Sequence, residues 1–527
     1  MRNGVPRAAR LLAAGLTAAT LLTATAACAP PAPVTSAGEA GAVPAALRVY
    51  TQQKLRWEPC DLKEEGGLKE PGALRCTTVK VPLDYMKPGG KKIAIAISRL
   101  RASDPKKRRG VLLLNPGGPG APGLGLPVDP LLKLPQRVKQ RYDLIGFDPR
   151  GTGRSAPVSC GLTAGEQADH PYRAATFAKD VAWARTVAAK CRAAAGRELA
   201  HLTTRNSARD MDVIRAALGE KRISYLGVSY GTYLGAVYTQ LFPRRADRFV
   251  LDSATDPGRV YRGMFQDMAK AAEDAFSRWA GWTARRNGEY GLGATPAAVR
   301  AAFWDLVAQA DREPVLFEGQ PLSGADIRSN SRVFVHVREA AAWITGLREA
   351  AANGGAKEPG RSETSGESEE SGASGPSDDG YVSAAWSYMC ADSRSWSHDP
   401  EQYRREAIRD QARYPLYGDF AAAVAPCAFW QRGTEPQTVV DNGVGALITQ
   451  NEWDPQTPLA SGRAMHRALR GSRMLTVTGG EGHGVLYAPD GNACADEAAT
   501  AYLLTGRLPD HDLTCRAAPP RTGTGTA

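Results

Sequence analysis

Short apolar runs alternate along the chain with segments in which apolar residues recur at helical spacing. One such segment is Ser207 to Leu218, where Met211, Ile214 and Leu218 lie on one face of a predicted helix. Apolar runs bounded by turn-forming residues are typical of buried strands, and they predict strands at residues 92–98, 110–115, 221–226, 248–251, 445–449 and 473–478. Strands that alternate with helices in this way indicate an α/β fold with a mostly parallel sheet.

The segment Gly227-Val-Ser-Tyr-Gly231 has the G-x-S-x-G pattern of a nucleophile elbow. It follows the predicted strand 221–226 and precedes the helical segment Thr232–Phe242, which Pro243 ends. A strand, a sharp turn and a helix form the context that this motif requires. The flanking glycines remove Cβ atoms that would collide where strand and helix pass, so Ser229 can expose its hydroxyl on a strained turn. A glycine-rich core turn is the alternative interpretation.

A serine nucleophile needs a base, and His483 is the best-placed histidine downstream of Ser229. The other downstream histidines are His336, His398, His466 and His511. His483 differs from them because it lies in a glycine-rich loop, residues 479–484, directly after the predicted strand 473–478. Since loops at strand ends often carry catalytic side chains, we expect His483 to reach the elbow.

The base needs an acid to orient it, and Asp454 is the preferred candidate. It follows a predicted strand and precedes His483 by 29 residues, enough for one loop, one helix and one strand. The order serine, aspartate, histidine is that of α/β-hydrolases. Asp252, Asp256 and Glu452 are rival acids, and an Asx-Pro turn is the structural alternative for Asp454.

The loop Pro116-Gly-Gly-Pro-Gly120 directly follows the predicted strand 110–115. Consecutive glycines let the backbone approach a substrate closely, and prolines stiffen the loop. The predicted donors to an oxyanion are the backbone N–H groups of Tyr230, next after the nucleophile, and Gly118. A simple glycine-proline turn is the alternative.

Together these segments resemble the secreted actinobacterial tripeptidyl aminopeptidase group of α/β-hydrolases, which is related to proline iminopeptidases. Asn115–Gly120 is similar to the His-Gly-Gly-Pro-Gly loop of iminopeptidases, with Pro116 where those enzymes carry histidine. Tyr142–Ser155 matches their strand-to-loop segment. The resemblance runs from about residue 55 to 515 and is weak between about 260 and 385. It implies an α/β-hydrolase fold, with helices on both faces of the sheet and an inserted helical lid.

The resemblance also implies an exported serine hydrolase that releases short peptides, tripeptides, from free N-termini without a cofactor or metal. Such an enzyme has to recognise the substrate α-ammonium group with a carboxylate. Candidates for this role are Glu452, Asp392 and Glu481. One alternative function is a carboxylesterase with the same triad. Another is a surface lipoprotein that binds peptides or cell-wall components without catalysis.

Composition is ordinary for a globular protein, since 43% of the 527 residues are hydrophobic and 23% are charged. The net charge of +11 and the pI near 9.2 would suit a nucleic-acid partner. The sequence contains no nucleic-acid-binding motif, and its arginines are scattered. We therefore expect a solvated basic surface, with a bias toward anionic envelope surfaces.

The N-terminus has the features of a signal peptide, predicted at residues 1–28. Arginines precede the apolar segment Leu11–Ala27, which at 17 residues is short for a membrane-spanning helix. Thr25-Ala-Ala-Cys28 resembles a lipobox, with threonine where leucine is usual. We expect an exported protein that is either released or attached to the outer face of the membrane by a lipid on Cys28.

Nine cysteines support this interpretation, because eight remain after Cys28 is set aside. An even number is typical of an oxidising compartment. We expect cysteines that are neighbours in sequence to pair, as 60–76, 160–191, 390–427 and 494–515. Their spacing contains no C-x-x-C motif and does not indicate a metal site.

Composition also predicts the domain organisation. Residues 353–380 are rich in Gly, Ser and Glu and contain no large apolar residue, so we expect a disordered loop there. The predicted segments are a linker at 29–45, the first part of the hydrolase core at 46–257, the lid at 258–439, the C-terminal part of the core at 440–515 and a tail at 516–527.

Overall fold

The computed structural model describes residues 45–62, 73–168, 170–330, 334, 336–353, 379–489 and 491–517. The predicted signal peptide lies outside these residues, as do nearly all of the predicted linker and most of the predicted disordered loop and tail. At the edges of the two latter segments, Asp379 begins a helix and Arg516 ends a strand. The predicted loop and tail therefore each extend slightly into regular structure.

A ten-stranded sheet forms the centre of the fold, and two further strands make a separate hairpin. The strands are β1 (Glu58–Pro59), β2 (Leu74–Pro82), β3 (Lys92–Leu100), β4 (Gly110–Asn115), β5 (Tyr142–Phe147), β6 (Ile223–Val228), β7 (Ala246–Asp252), β8 (Val315–Phe317), β9 (Gln320–Leu322), β10 (Ala446–Trp453), β11 (Arg473–Glu481) and β12 (Leu513–Arg516). The sheet order is β1-β2-β3-β5-β4-β6-β7-β10-β11-β12. The strands from β5 to β12 in this order are parallel, and β1, β2 and β3 pair antiparallel.

Helices cover both faces of this sheet. The helices are α1 (Arg48–Thr51), α2 (Gln136–Lys139), α3 (Ala164–Gln167), α4 (Phe177–Ala195), α5 (Thr204–Ala217), α6 (Tyr230–Leu241), α7 (Arg262–Ala284), α8 (Asn287–Tyr290), α9 (Pro296–Arg312), α10 (Gly324–Asn330), α11 (Val337–Ala352), α12 (Asp379–Asp392), α13 (Pro400–Arg413), α14 (Gly418–Ala421), α15 (Leu459–Ala468) and α16 (Ala493–Thr505). Along β4, Val111 and Leu113 pack in the cluster that contains α4, α5 and α6. Leu112 and Leu114 pack on the other face with α16. This alternation is why a continuous apolar run forms a strand between two helical layers.

The helices α7 to α14 form an inserted lid between β7 and β10. The helices α7 to α11 and α14 share an apolar cluster of their own, centred on aromatic residues, whereas Tyr388 of α12 and Tyr403 of α13 pack in the cluster that contains α4, α5 and α6. The rings of Phe276 and Phe303 lie 4.9 Å apart, and those of Trp279 and Phe334 lie 4.8 Å apart. The sheet, the two helical layers and the lid confirm the predicted fold class.

Four disulfides brace the described part of the chain, with the pairs expected from sequence order. They are Cys60–Cys76, Cys160–Cys191, Cys390–Cys427 and Cys494–Cys515. The pair Cys390–Cys427 fixes the end of α12 within the lid. No helix in the described ranges combines the length and the apolar character needed to cross a membrane.

Candidate active site

Ser229 occupies a strained turn between β6 and α6, with φ 57° and ψ −123°. Such a conformation costs a non-glycine residue about 1–3 kcal/mol and persists only where neighbouring contacts enforce it. The N–H of Ser229 donates to the carbonyl oxygen of Asp252 at 2.9 Å, and its carbonyl accepts from the N–H of Thr232 at 2.9 Å. A Cβ on Gly227 would lie 2.6 Å from the carbonyl oxygen of Gly231. The predicted reason for glycine in this motif therefore holds.

Asp454 and His483 meet at the ends of the neighbouring parallel strands β10 and β11. His483 Nδ1 lies 2.8 Å from Asp454 Oδ2, and Asp454 as a whole is 2% exposed. Because a carboxylate only accepts hydrogen bonds, Nδ1 carries the proton and Nε2 is the basic nitrogen. This is the arrangement that a serine nucleophile needs from its base and acid.

Asp454 also forms the Asx turn that was the structural alternative for it. Its Oδ1 accepts from the N–H groups of Gln456 and Thr457 at 2.8 and 3.0 Å. The Thr457 hydroxyl donates to Oδ2 at 2.7 Å and lies 3.4 Å from His483 Nδ1. The turn thus orients the carboxylate for His483. The sequence interpretation missed Thr457, for which the only signal was its position three residues after an aspartate.

The rival acids bond to backbone groups. The Asp252 carboxylate accepts from the N–H groups of Val485 and Leu486, and burial raises its pKa above the ordinary value. Asp256 accepts from the N–H of Gly258, and Glu452 from that of Gly479. Asp252 nonetheless connects the two halves of the site. Its carbonyl oxygen accepts from the N–H of Ser229 in the elbow, while its carboxylate accepts from N–H groups of the loop that carries His483, here called the histidine loop.

The glycine-proline loop after β4 passes directly against the elbow. A Cβ on Gly117 would lie 2.6 Å from the carbonyl oxygen of Val228, 3.0 Å from Ser229 Cβ and 3.3 Å from the nitrogen of Tyr230. Gly117 has φ +105° and Gly118 has φ +101°, which favour glycine at both positions. The residue that touches the elbow is therefore Gly117, and the predicted donor Gly118 follows it.

Buried polar groups hold the far end of this loop. The Asp148 carboxylate accepts from the N–H groups of Gly123 and Leu124 at 2.9 and 3.0 Å and from that of Arg154 at 2.9 Å. Burial raises the pKa of Asp148. Ser98 donates to the carbonyl oxygen of Leu124 at 2.6 Å. The loop is thus held in a fixed position next to Ser229.

The lid touches both sides of the site. A Cβ on Gly120, in the glycine-proline loop, would lie 3.0 Å from the carbonyl oxygen of Tyr381 on α12. On the histidine side, Arg278 of α7 bonds to Glu481 at 2.5 Å. The Arg278 guanidinium also lies 5.0 Å from the ring centroid of Trp453, the residue before Asp454.

The three carboxylates considered for the substrate ammonium group all have partners in the structure. Glu481 pairs with Arg278, and Glu452 accepts from a backbone N–H. Asp392 is 7% exposed and accepts from the N–H and hydroxyl of Thr204 and, at 3.1 Å, from the hydroxyl of Tyr261. Burial raises the pKa of Asp392 to about 7. Within the described ranges, no group of three or more His, Cys, Asp or Glu side chains is arranged to hold a metal ion.

Family models match the two parts of the chain that carry this site. A model described as alpha/beta hydrolase fold matches residues 110–302, and one described as TAP-like protein matches residues 414–515. The first match contains Ser229, and the second contains Asp454 and His483. Fold and site together define a protein of the α/β-hydrolase class.

Proteins of similar sequence show which family within this class the chain belongs to. The chain is 34% identical over 501 residues to a tripeptidyl aminopeptidase of Streptomyces lividans, covering 90% of this chain and 89% of the relative. It is 31% identical to the serine protease Hip1 of Mycobacterium bovis, covering 88% and 91%. It is also 31% identical to carboxylesterase B of Mycobacterium tuberculosis, covering 90% and 92%. The chain belongs to the tripeptidyl aminopeptidase group of α/β-hydrolases, and it is an enzyme of the serine hydrolase type.

Proposed function

We propose that this protein is an aminopeptidase that releases tripeptides from the free N-termini of peptides through an acyl-enzyme. The observation that carries the proposal is the 2.8 Å contact between His483 and Asp454 in a loop anchored to the same residue as the strained Ser229. The family membership supports a peptide substrate, because two of its relatives are named tripeptidyl aminopeptidase and serine protease.

In this mechanism Ser229 Oγ attacks the carbonyl carbon of the scissile bond, and His483 Nε2 accepts the hydroxyl proton. Asp454 keeps the Nδ1 proton in place and stabilises the imidazolium that forms. His483 then protonates the leaving amine, and the C–N bond breaks to give the acyl-enzyme. Water, deprotonated by His483, attacks the ester carbonyl and releases the peptide acid and free Ser229.

The proposed oxyanion donors are the backbone N–H groups of Tyr230 and Gly118. Prolines 116 and 119 have no N–H, and the N–H of Gly117 donates to Asn115 Oδ1 at 3.2 Å. Gly118 is therefore the loop residue nearest the elbow whose N–H is left for the oxyanion. Removal of one such donor typically costs about 10²–10³ in turnover.

Glu452 is the first carboxylate to test for recognition of the substrate ammonium group. Asp392 is buried and held by hydroxyl groups, and Glu481 is neutralised by Arg278. Glu452 is partly exposed and stands two residues before Asp454. If Glu452 binds the ammonium group, Glu452→Gln raises KM for substrates with a free amine and leaves the rate of labelling of Ser229 by a fluorophosphonate unchanged.

Hydrolysis of a chromogenic tripeptide amide tests the proposal, with the free and the N-acetylated form compared and Ser229→Ala as the control. Cleavage of the free form alone is the expected result. Equal cleavage of both forms, or cleavage of simple esters alone, contradicts an aminopeptidase and leaves the serine mechanism in place.

A carboxylesterase is the second candidate, because one relative with 31% identity is named carboxylesterase B. The same triad cleaves esters, so the two functions differ in the groups that surround the substrate. Comparison of kcat/KM for a short acyl ester and for an ester of the free tripeptide with the same leaving group distinguishes them. The short acyl ester is the better substrate only if the second candidate is correct.

We further propose that the protein is exported and acts outside the cytoplasm. The four disulfides in the described part of the chain support this location, since such bonds persist in oxidising compartments. Attachment by a lipid on Cys28 is the proposed means of retention at the envelope. Metabolic labelling with a radioactive fatty acid tests it, and Cys28→Ser abolishes the label if the proposal is correct.

A further inference from the structure

The loop that carries His483 is fastened through its carbonyl oxygens to one side chain of β10. Asn451 Nδ2 donates to the carbonyl oxygens of Glu481 at 2.8 Å, Gly482 at 3.0 Å and Gly484 at 3.0 Å. Asn451 is 4% exposed, so these bonds form away from solvent. One carboxamide therefore binds the backbone on both sides of the histidine.

The N–H groups of the same loop are bound from β7 and the residue after it. The N–H of Gly484 donates to Ser253 Oγ at 2.8 Å. The N–H of Val485 donates to the Asp252 carboxylate at 2.9 Å, and the N–H of Leu486 donates to it at 2.9 Å. Together with Asn451, these side chains bind six backbone groups within residues 481–486.

An irregularity in the sheet makes room for this arrangement. Asn451 pairs with Val477, whereas Trp453 pairs with Glu481, so β11 contains extra residues at this point. A Cβ on Gly480 would lie 2.3 Å from Asn451 Oδ1, which requires glycine there. Bulges beside active sites often change the direction of a side chain, and this bulge brings the loop within hydrogen-bond distance of Asn451.

Asp252 extends the connection to the nucleophile. Its carbonyl oxygen accepts from the N–H of Ser229 at 2.9 Å, and its carboxylate also accepts from the hydroxyl of Thr449 at 2.9 Å. Ser229 and the loop that carries His483 are therefore both hydrogen-bonded to the same residue, Asp252, at the end of β7. A shift of this residue changes the separation of the two reacting groups.

We propose that Asn451 and Asp252 are positioning residues that together fix His483 relative to Ser229, an inference that rests on the proposed triad. Both side chains bind backbone groups of the loop that carries His483. Because displacement of a catalytic group by about 1 Å can cost about 10²-fold, loss of either anchor lowers turnover more than it lowers substrate binding.

Asn451→Ala is the first test. We expect kcat and the rate of labelling by a fluorophosphonate to fall about 10²-fold, with KM changed by less than about twofold. Asn451→Leu has a similar volume but donates no hydrogen bond, so it gives the same losses and covers the case in which the alanine variant does not fold. An unchanged labelling rate in a folded variant overturns the proposal.

Asn442→Ala is the matched control. Asn442 also braces a loop next to β10, but at the opposite end of the strand. Its Nδ2 donates to Gln240 Oε1 at 3.0 Å, and its Oδ1 accepts from the N–H of Val444 at 3.0 Å. We expect wild-type kcat and labelling rate from this variant. Equal losses in Asn442→Ala and Asn451→Ala mean a general effect on stability and contradict a positioning role.

Asp252→Asn separates a positioning residue from a catalytic acid. An asparagine oxygen still accepts from the N–H groups of Val485 and Leu486, so we expect the variant to retain at least about a tenth of wild-type kcat. Asp454→Asn is expected to lose about 10⁴-fold, because the imidazole takes the wrong tautomer. Similar losses in the two variants overturn the assignment of Asp252.

The rate of labelling by a fluorophosphonate does not depend on the natural substrate. A wild-type protein that is labelled at Ser229 but cleaves no tripeptide amide therefore refutes the proposed function and leaves the positioning proposal in place.

Discussion

Asp392, at the end of α12, is a buried carboxyl group whose charge can be removed with little change in shape. Its oxygens accept from the N–H and hydroxyl of Thr204 and from the hydroxyl of Tyr261. In Asp392→Asn, the amide oxygen can still accept from the Thr204 N–H, and the amide N–H groups can donate to the two hydroxyl oxygens. The variant therefore removes a titratable group and keeps its hydrogen bonds.

The magnitude of the effect follows from the pKa of Asp392, which burial raises from 3.8 to about 7. A carboxyl whose pKa is higher in the folded than in the unfolded state binds its proton more tightly when folded. Its contribution to stability is therefore largest below pH 3.8, decreases as the pH rises, and is lost above about pH 7. Between pH 5 and pH 8 the loss is about 3 kcal/mol, since the slope of about 1.4 kcal/mol for each pH unit levels off near pH 7.

Denaturant unfolding of the wild type and of Asp392→Asn at pH 5 and pH 8 measures this effect. From pH 5 to pH 8, we expect the free energy of unfolding of the wild type to fall by about 3 kcal/mol relative to that of the variant. Asp510→Asn, at an exposed position, is the control and should follow the wild type. Parallel pH profiles for Asp392→Asn and the wild type would refute the reasoning, because they would show that Asp392 does not titrate in this range.

Three further predictions concern the site and the lid. Gly117→Ala places a methyl group against the elbow and is expected to lower kcat by at least about 10²-fold, measured on the tripeptide amide with expression and Tm as controls. Thr457→Val removes the hydroxyl bond to Asp454 and should reduce kcat about tenfold with KM unchanged, whereas Thr457→Ser retains activity. The double variant Cys390→Ala/Cys427→Ala should lose about 2–4 kcal/mol of unfolding free energy, and equal denaturation midpoints would contradict this expectation.

The nucleophile elbow could be predicted from sequence because its determinants are local. A strand, two glycines and a helix lie next to Ser229 in the chain, and close packing requires the glycines. The contact between Asp454 and His483 could be predicted from the serine, aspartate, histidine order of α/β-hydrolases and from their places at strand ends. The sequence distinguished Asp454 from Asp252 less clearly, because each lies at the end of an apolar strand. Only the pairing of the strands in the folded sheet shows which groups each carboxylate can reach.

Buried polar residues explain most of what the sequence interpretation missed. The predicted strand 445–449 in fact continues to Trp453, through Gln450 and Asn451, which are 0% and 4% exposed. Polar residues end an apolar run, so the pattern did not show that they lie inside the protein. Their partners, such as the carbonyl oxygen of Thr457 for Gln450 Nε2, come from other segments that only the fold brings near. The environment of Asp392 was hidden for the same reason.

The insertion of the lid between β7 and β10 has a consequence for the order in which the protein folds. β7 pairs on one side with β6, its predecessor in the sheet, and on the other with β10, which follows the whole lid in sequence. Until β10 is in place, the second side of β7 is an unpaired strand edge, which is prone to association with other chains. The C-terminal segment that closes this edge is also the segment that supplies Asp454 and His483. Completion of the sheet therefore coincides with assembly of the proposed triad, and we expect a chain that stops before β10 to be inactive and prone to aggregation.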